Sequence, residues 1–322
     1  MFIPSKLLLS LSLALSALAA TFPAKVIYQS PTGLFLENIA VRPSSQLLLT
    51  SVLTPTLYTF DPSAENGTLD EVYTFPNATA LTGIVEYKPD VYALVASTLD
   101  LNTISATPGS VAIYSVDFTG SGAPAVRQAA RIPESTMTNG LSTLPGHPDV
   151  VLAADSDAGL IWEVNVRTGN VSVKFQDDAL SPGAPPPALG ANGVHVNKNF
   201  LYFTNSQKGT VSRVSLSGGP VELLGTAVQA GGTPDKGYDD FTFDEQGRPL
   251  VAMSAGAVQL FEQARNGTWV QTTIAGSVQG GDSDGLVGAT SVAFGREEGK
   301  CSKILYVTGS AGQIAAVDTT GL

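Results

Sequence analysis

The sequence is poor in charge, in histidine and in cysteine. Of its 322 residues only 14% are charged, and 17 Lys and Arg stand against 28 Asp and Glu, for a net charge of −11. That balance argues against nucleic acid, whose phosphate backbone demands a basic face, and equally against anionic membrane surfaces. Two His and one Cys are too few nitrogen and sulfur ligands for a zinc centre to be expected. Cys301 stands alone, so no internal disulfide can brace the fold, and it reads as a buried strand residue. A catalytic thiol would want a His nearby, and His147 and His195 are distant in sequence. Helical periodicity is nearly absent. No apolar run reaches the ~20 residues that a membrane span needs.

What the chain has instead is apolar residues (43%) punctuated by 33 Gly and 20 Pro, the composition of many short strands joined by turns. The opening "MFIPSKLLLSLSLALSALAATFPAK" places Lys6 before an apolar run, Leu7 to Leu15, with Ala17 and Ala19 at the spacing a signal peptidase reads. Residues 1–20 are expected to be a secretory signal and 21–322 a single domain. A transmembrane anchor is the alternative reading, and the shortness of the run weighs against it. Four Asn-x-Ser/Thr sequons, at Asn66, Asn77, Asn170 and Asn266, agree with passage through the secretory pathway. The expected location is that pathway or the cell exterior, with no membrane span left after signal cleavage.

A repeat organises the rest. Six runs open on a polar residue and turn apolar: "LENIAV", "LTGIVE", "TNGLST", "ANGVHV", "YDDFTF" and "ATSVAF". A second strand follows each ("QLLLTSV", "DVYALVAS", "DVVLAADS", "FLYFTNS", "RPLVAMS", "KILYVTGS"), and then a third. The second residue of each opener forms one column: Glu37, Thr82, Asn139, Asn192, Asp239 and Thr290, spaced 45, 57, 53, 47 and 51 residues apart. Six such units predict an all-β, six-bladed β-propeller. The sixth unit lacks an outer strand, and "AKVIYQS" at 24–30 has no unit of its own, so the N-terminal strand is predicted to close the last blade. A pair of β-sandwiches is the competing architecture. The Pro-rich "SPGAPPPALG" (181–190) falls between units three and four and reads as a stiff loop on one face.

In a propeller the innermost strands line the axis, so the column becomes a ring. Two carboxylates and two amides then converge, offering oxygen ligands suited to Ca²⁺ or another hard divalent cation. A purely structural ring, hydrogen-bonded between blades, is the plain alternative. Asp240 reads as a turn or supporting group, His195 as a packed strand residue, and Trp162, Tyr114 and Tyr202 as core. "GGDSDGLVG" (280–288) lacks a full calcium-loop pattern and reads as a connection between blades.

The pattern of Glu, Asn-Gly, Asn-Gly and Asp, one per blade, resembles the gluconolactonase / senescence-marker-protein superfamily over nearly all of the mature chain. The resemblance implies one divalent metal held by Glu37, Asn192 and Asp239, with Asn139 in the substrate site and Asp239 as general base of lactone hydrolysis. The chain departs from that pattern at "LENIAV", where the lactonases follow Glu with Gly-Pro, and at "YDDFTF", where they carry Pro-Asp-Gly. The "LENIAVRPSSQLLLT…LYTFDP" opening is closer to a fungal secreted branch that includes hetero-Diels–Alderases of tropolone sesquiterpenoid biosynthesis.

Three functions follow. The first is a cyclase of fungal secondary metabolism that joins a polyketide-derived quinone methide to a terpene alkene and requires no cofactor. The second is a divalent-metal-dependent lactonase or esterase. The third is a secreted propeller that binds a partner without chemistry. "SVLTPTLY", "TLDLNTISATPGS" and "ALSPGAPPPALG" carry no Lys or Arg, which favours small apolar polyketide and terpene substrates over sugar acids. For the cyclase the catalytic set is Glu37, Asn139, Asn192 and Asp239, with Thr82 and Thr290 also touching substrate. The protein is expected to be a monomer.

Overall fold

The computed structural model describes residues 21–227, 237–278, 285–297 and 300–322. The proposed signal (1–20) and most of the acidic stretch at 280–288 lie outside the described residues. Six four-stranded antiparallel sheets radiate from one axis. Blade 1 runs Leu36–Val41, Leu47–Ser51, Thr56–Phe60, Asp70–Thr74, from the axis outward. The inner strands of blades 2 to 6 are Ala80–Lys88, Thr138–Thr143, Ala191–Asn197, Tyr238–Phe243 and Ala289–Glu297. In blade 6 the outer strand is Ala24–Gln29, paired antiparallel to Gln313–Asp318, so the N-terminal strand closes the ring as its sequence predicts. Closure gives the last blade its fourth strand, so each blade keeps only its short outer edge. Among the described residues no helix is long and apolar enough to cross a membrane.

Burial falls from the second strand outward. The second strand of blade 1, "LLLTS", is buried throughout, because neighbouring blades cover both of its faces. The outer strand of blade 3, "VSVKFQ", is half-buried or exposed along its length. Apolar side chains mesh between adjacent blades. Ala93, Val95 and Ile113 of blade 2 pack against Leu141, Val151 and Trp162 of blade 3. Each fully buried Ile or Leu stabilises the fold by about 1.5–3 kcal/mol.

All six inner strands break register near their start, at Leu36/Ile39, Leu81/Ile84, Thr138/Leu141, Ala191/Val194, Tyr238/Phe241 and Ala289/Ser291. A β-bulge adds one residue and re-aims its side chain. Here the bulges fall on the polar column and the position after it. Threonines on the second strands satisfy the displaced backbone. The Asn38 N–H donates to Thr50 Oγ1 (3.1 Å), which donates to the Thr82 carbonyl of the next blade (2.6 Å). Blade 4 repeats the device: Gly193 N–H donates to Thr204 Oγ1 (2.8 Å), which donates to the Asp239 carbonyl (2.7 Å). The blades crowd closely here. A Cβ on Gly140 would sit 2.6 Å from the Asn192 carbonyl oxygen, so no larger residue fits without moving backbone.

Inner strands start at the end of the axis we call upper and finish at the lower end. The four sequon asparagines are all exposed. Asn66, Asn170 and Asn266 sit in turns between third and outer strands, at the lower end, and Asn77 lies on the upper connection from blade 1 to blade 2. Cys301, expected to be buried, is exposed. It pairs with Arg296 at the lower tip of a long hairpin that projects past the blade core.

Candidate active site

The bulges gather the polar column at the upper end of the axis. A cleft of about 610 Å³ opens there, and Asn192, Asp239 and Thr290 are part of its wall. Glu37 and Asn139 are buried behind that wall. Glu37 feels the charge of Asp240 and itself bears on Asp239, and Asn139 of blade 3 bears on Glu37, so these side chains of the column lie together. The structure does not bring Thr82 into the cleft. Its hydroxyl donates to the Thr138 carbonyl (2.8 Å) and ties blade 2 to blade 3. Thr290 is on the wall, yet its hydroxyl donates to the Leu36 carbonyl (2.6 Å), which leaves mainly its methyl group for a ligand.

Crowded, buried carboxyls resist ionisation. Burial and the Asp240 charge push Glu37 up to about 7, and the Asn139 amide pulls weakly the other way. Asp239 is raised well above the usual carboxylate range by burial, then by the charges of Glu37 and Asp240, against the opposing pull of the Asn192 amide and the Asp240 N–H. At neutral pH this site therefore carries protonated carboxyl, a hydrogen-bond donor, alongside carboxylate.

Among the described residues three buried amide atoms here have no hydrogen-bond partner in the protein. Neither Nδ2 nor Oδ1 of Asn139 makes a well-formed hydrogen bond, and its contact with Glu37 falls outside hydrogen-bonding geometry. Asn192 donates from Nδ2 to Ser206 Oγ (2.9 Å), while Ser206 uses its own proton on the Tyr238 carbonyl (2.8 Å). That chain fixes the Asn192 amide and leaves its Oδ1 buried without a partner. Buried polar atoms without partners are rare and call for a reason. A ligand oxygen, a cation or water at this spot supplies one.

Asp240 does more than support a turn. Its Oδ1 lies 2.9 Å from His195 Nε2 on blade 4, and its Oδ2 accepts from Ser291 Oγ (3.1 Å) on blade 6, whose hydroxyl also lies 3.4 Å from Asn38 Oδ1 on blade 1. Gly193 makes room for this carboxylate: a Cβ there would sit 2.6 Å from Asp240 Oδ1. His195 is thus both packed, edge-on against Phe241, and bonded into the axial network.

Above the polar floor the cleft is apolar. Phe35 precedes the blade 1 inner strand, Ile104 comes from a hairpin above blade 2, and Pro185, Pro187 and Leu189 come from the Pro-rich connection. Of the three loops without Lys or Arg, 99–106 and 181–190 reach the cleft, while Ser51–Thr54 does not. Phe35 and Ser206 escaped the sequence reading, since neither falls on the repeated column. Trp162, Tyr114 and Tyr202 pack as expected, with Trp162 Nε1 donating to Asp155 (2.9 Å).

Among the described residues no group of three His, Cys, Asp or Glu is set to hold a metal ion. The donors Glu37 and Asp239 reach three only with the Asn192 amide. That oxygen set suits a hard divalent cation, whose charge would relieve the repulsion between the carboxyls and occupy the unpaired Asn192 Oδ1.

No family model matches the chain. Two curated fungal proteins are similar to it, each named "Putative hetero-Diels-Alderase". The one from a Phoma species is 28% identical over 89% of this chain and 87% of its own length. The one from Sarocladium schorii is 29% identical over 95% of this chain and 86% of its own. Among solved structures, the calcium-binding protein regucalcin of Agrobacterium tumefaciens superposes with a TM-score of 0.58 at 18% identity, covering 93% of this chain and 95% of that one. The chain is a six-bladed β-propeller of the gluconolactonase type in fold, with distant homology over most of its length to the two fungal proteins named "Putative hetero-Diels-Alderase".

Proposed function

We propose that the protein is a cyclase of the hetero-Diels–Alderase kind, which joins a polyketide-derived tropolone quinone methide to a terpene alkene. The observation that carries this reading is an apolar cleft laid over protonatable carboxyls and an unpaired amide oxygen. The names of the two fungal relatives support it.

The reaction asks little covalent work of the protein. The C=C–C=O unit of the quinone methide and the alkene exchange three π bonds for one C–C bond, one C–O bond and a new C=C. No atom leaves and no electron is gained or lost. Holding two apolar partners face to face removes entropy that association would otherwise cost, worth up to about 7–11 kcal/mol in well-oriented cases. A hydrogen bond to the quinone methide oxygen draws electron density from the heterodiene and lowers the barrier further. Asn192 is poorly placed to give that bond, because one Nδ2 proton goes to Ser206 and the amide also bears on the Asp239 carboxyl. The protonated carboxyl of Asp239, on the cleft wall, is the donor that can. Burial, and then the charges of Glu37 and Asp240, keep that proton on Asp239. Asn192 Oδ1 accepts from a ring hydroxyl of the substrate.

The test supplies purified protein with a quinone methide generated in solution and a terpene alkene. A single enantiomer formed well above the background rate, insensitive to chelator, supports the reading. A racemate at the background rate overturns it.

The unpaired Asn192 Oδ1 beside two repelling carboxyls favours a second reading, a metal-dependent lactonase. Glu37, Asn192 and Asp239 would hold the cation, which would polarise an ester carbonyl. Asp239 would accept a proton from water, and the apolar wall of Phe35, Ile104 and Leu189 would bind the acyl chain. Turnover of a lactone that stops on chelation and returns with Ca²⁺ would support this reading in place of the first.

A further inference from the structure

One wall of the cleft is built in a way the other blades do not share. Three or four residues join the second and third strands in blades 1, 3, 4, 5 and 6, but fourteen (98–111) do so in blade 2. Inside that insertion Leu99–Asp100 pairs with Ser105–Ala106 as a small hairpin. Its last turn residue is Ile104, with φ at 50°. The other non-glycine residues at positive φ are Ser45, Asn77, Asp90 and Lys198, and Ile104 is the one β-branched member among the described residues. A β-branched side chain in that region is strained, and such strain persists where surrounding structure enforces it.

The enforcement is visible on both sides of the turn. Leu99 and Ala106 are buried in the core between blades 2 and 3. Leu99 N–H donates to Thr79 Oγ1 (2.8 Å) and Ala106 N–H to the Thr136 carbonyl (2.6 Å). Asp157 of blade 3 accepts from both Ser105 Oγ (3.2 Å) and Thr136 Oγ1 (2.7 Å), clamping the hairpin to its neighbour. A relaxed turn residue would release the side chain. The clamp instead holds Ile104 against the cleft, facing the same space as Leu189 and Phe35.

We infer that Ile104 is a specificity-determining residue: the clamped hairpin fixes its side chain as a gauge for the size of apolar ligand the cleft admits. The inference rests on the reading that this cleft takes apolar substrates. It adds that blade 2, rather than the polar ring, decides how bulky they are.

Binding of two neutral fluorescent probes tests it: N-phenyl-1-naphthylamine, which is compact, and 1,6-diphenyl-1,3,5-hexatriene, which is longer. Ile104→Ala and Ile104→Gly are expected to raise affinity for the longer probe about tenfold relative to the compact one, and Ile104→Phe to lower both. Asp157→Ala, which frees the hairpin, is expected to shift the ratio in the same direction as Ile104→Ala. Ile104→Gly should melt no lower than the parent, since glycine tolerates this φ, so a change in binding would not come from misfolding. Affinity ratios that stay within about twofold in every Ile104 variant, while Leu189→Ala shifts them, overturn the gauge and leave the apolar cleft standing. A parent protein that binds neither probe overturns both.

Discussion

The two ends of the propeller axis each hold a cavity, and the larger is the less promising. The lower one measures about 870 Å³ and is lined by Pro43, Pro89, Pro145 and Pro148 in short turns. Its charges are answered. Glu86 pairs with Arg296 across the ring, and Lys88 pairs with Asp149 (2.7 Å), which also holds Arg167 (3.0 Å). Arg42 grips Asp90 through two hydrogen bonds of 2.9 and 2.7 Å. The upper cleft is smaller, at about 610 Å³, yet its carboxyls face one another with no Lys or Arg beside them among the described residues. Its amides are left half-paired. Volume says where a ligand fits. Unanswered polar groups say where one is wanted.

Substitutions at the two ends should separate these roles. The largest structural effect is expected at the upper bulges. Gly140→Ala should cost about 2–3 kcal/mol, as backbone must move to admit the methyl group. At the lower end Gly146, at φ 81° with open space around its Cβ, should lose only about 1 kcal/mol to alanine, through backbone strain alone. Chemical denaturation of both variants measures the difference.

Function should divide the same way. Asp239→Asn is expected to lower turnover by about 10²-fold with melting temperature held or raised, because a neutral amide replaces a carboxyl that resists ionisation. Arg296→Ala should leave turnover within about twofold but destabilise by about 1–3 kcal/mol, since Glu86 then lies half-buried without its partner. Lys303→Ala, which breaks the exposed pair with Glu245, should cost no more than about 0.5 kcal/mol.

Stability against pH sharpens the contrast further. The folded protein binds the Glu37 proton more tightly than the unfolded chain, whose carboxyl has its ordinary value of 4.5. That contribution is full below pH 4.5 and is lost as the pH rises towards about 7. In chelator, the stability of the parent relative to Glu37→Gln should therefore fall across this window, by up to about 1.4 kcal/mol per pH unit. A bound divalent cation would keep both carboxyls ionised and flatten the slope, so repeating the titration with Ca²⁺ separates the cyclase from the lactonase reading.

The architecture was legible because it repeats. Six polar openers about fifty residues apart carry the same message, so an error in one unit is corrected by the others. Glu37 and Asp239 stood out as charges at the heads of apolar strands, and the fold explains their place. Ile104 gave no such sign. An isoleucine in a loop looks ordinary until its backbone dihedral is known. The bond between Asp240 and His195 was equally hidden, because 45 residues separate partners that only the ring brings together. Cys301 misled, since a cysteine in an apolar strand reads as core, and only the length of its hairpin carries it clear of the blades.

The pairing of Ala24–Gln29 with Gln313–Asp318 bears on how the molecule is made. A ribosome delivers one of these strands at the beginning of the domain and the other at its finish. Five blades can assemble as they emerge, but the sixth stays a crescent with two bare rims until synthesis is nearly over. Removing the final strand by an early stop codon should thus yield an open arc prone to self-association, even though every residue of the cleft is present.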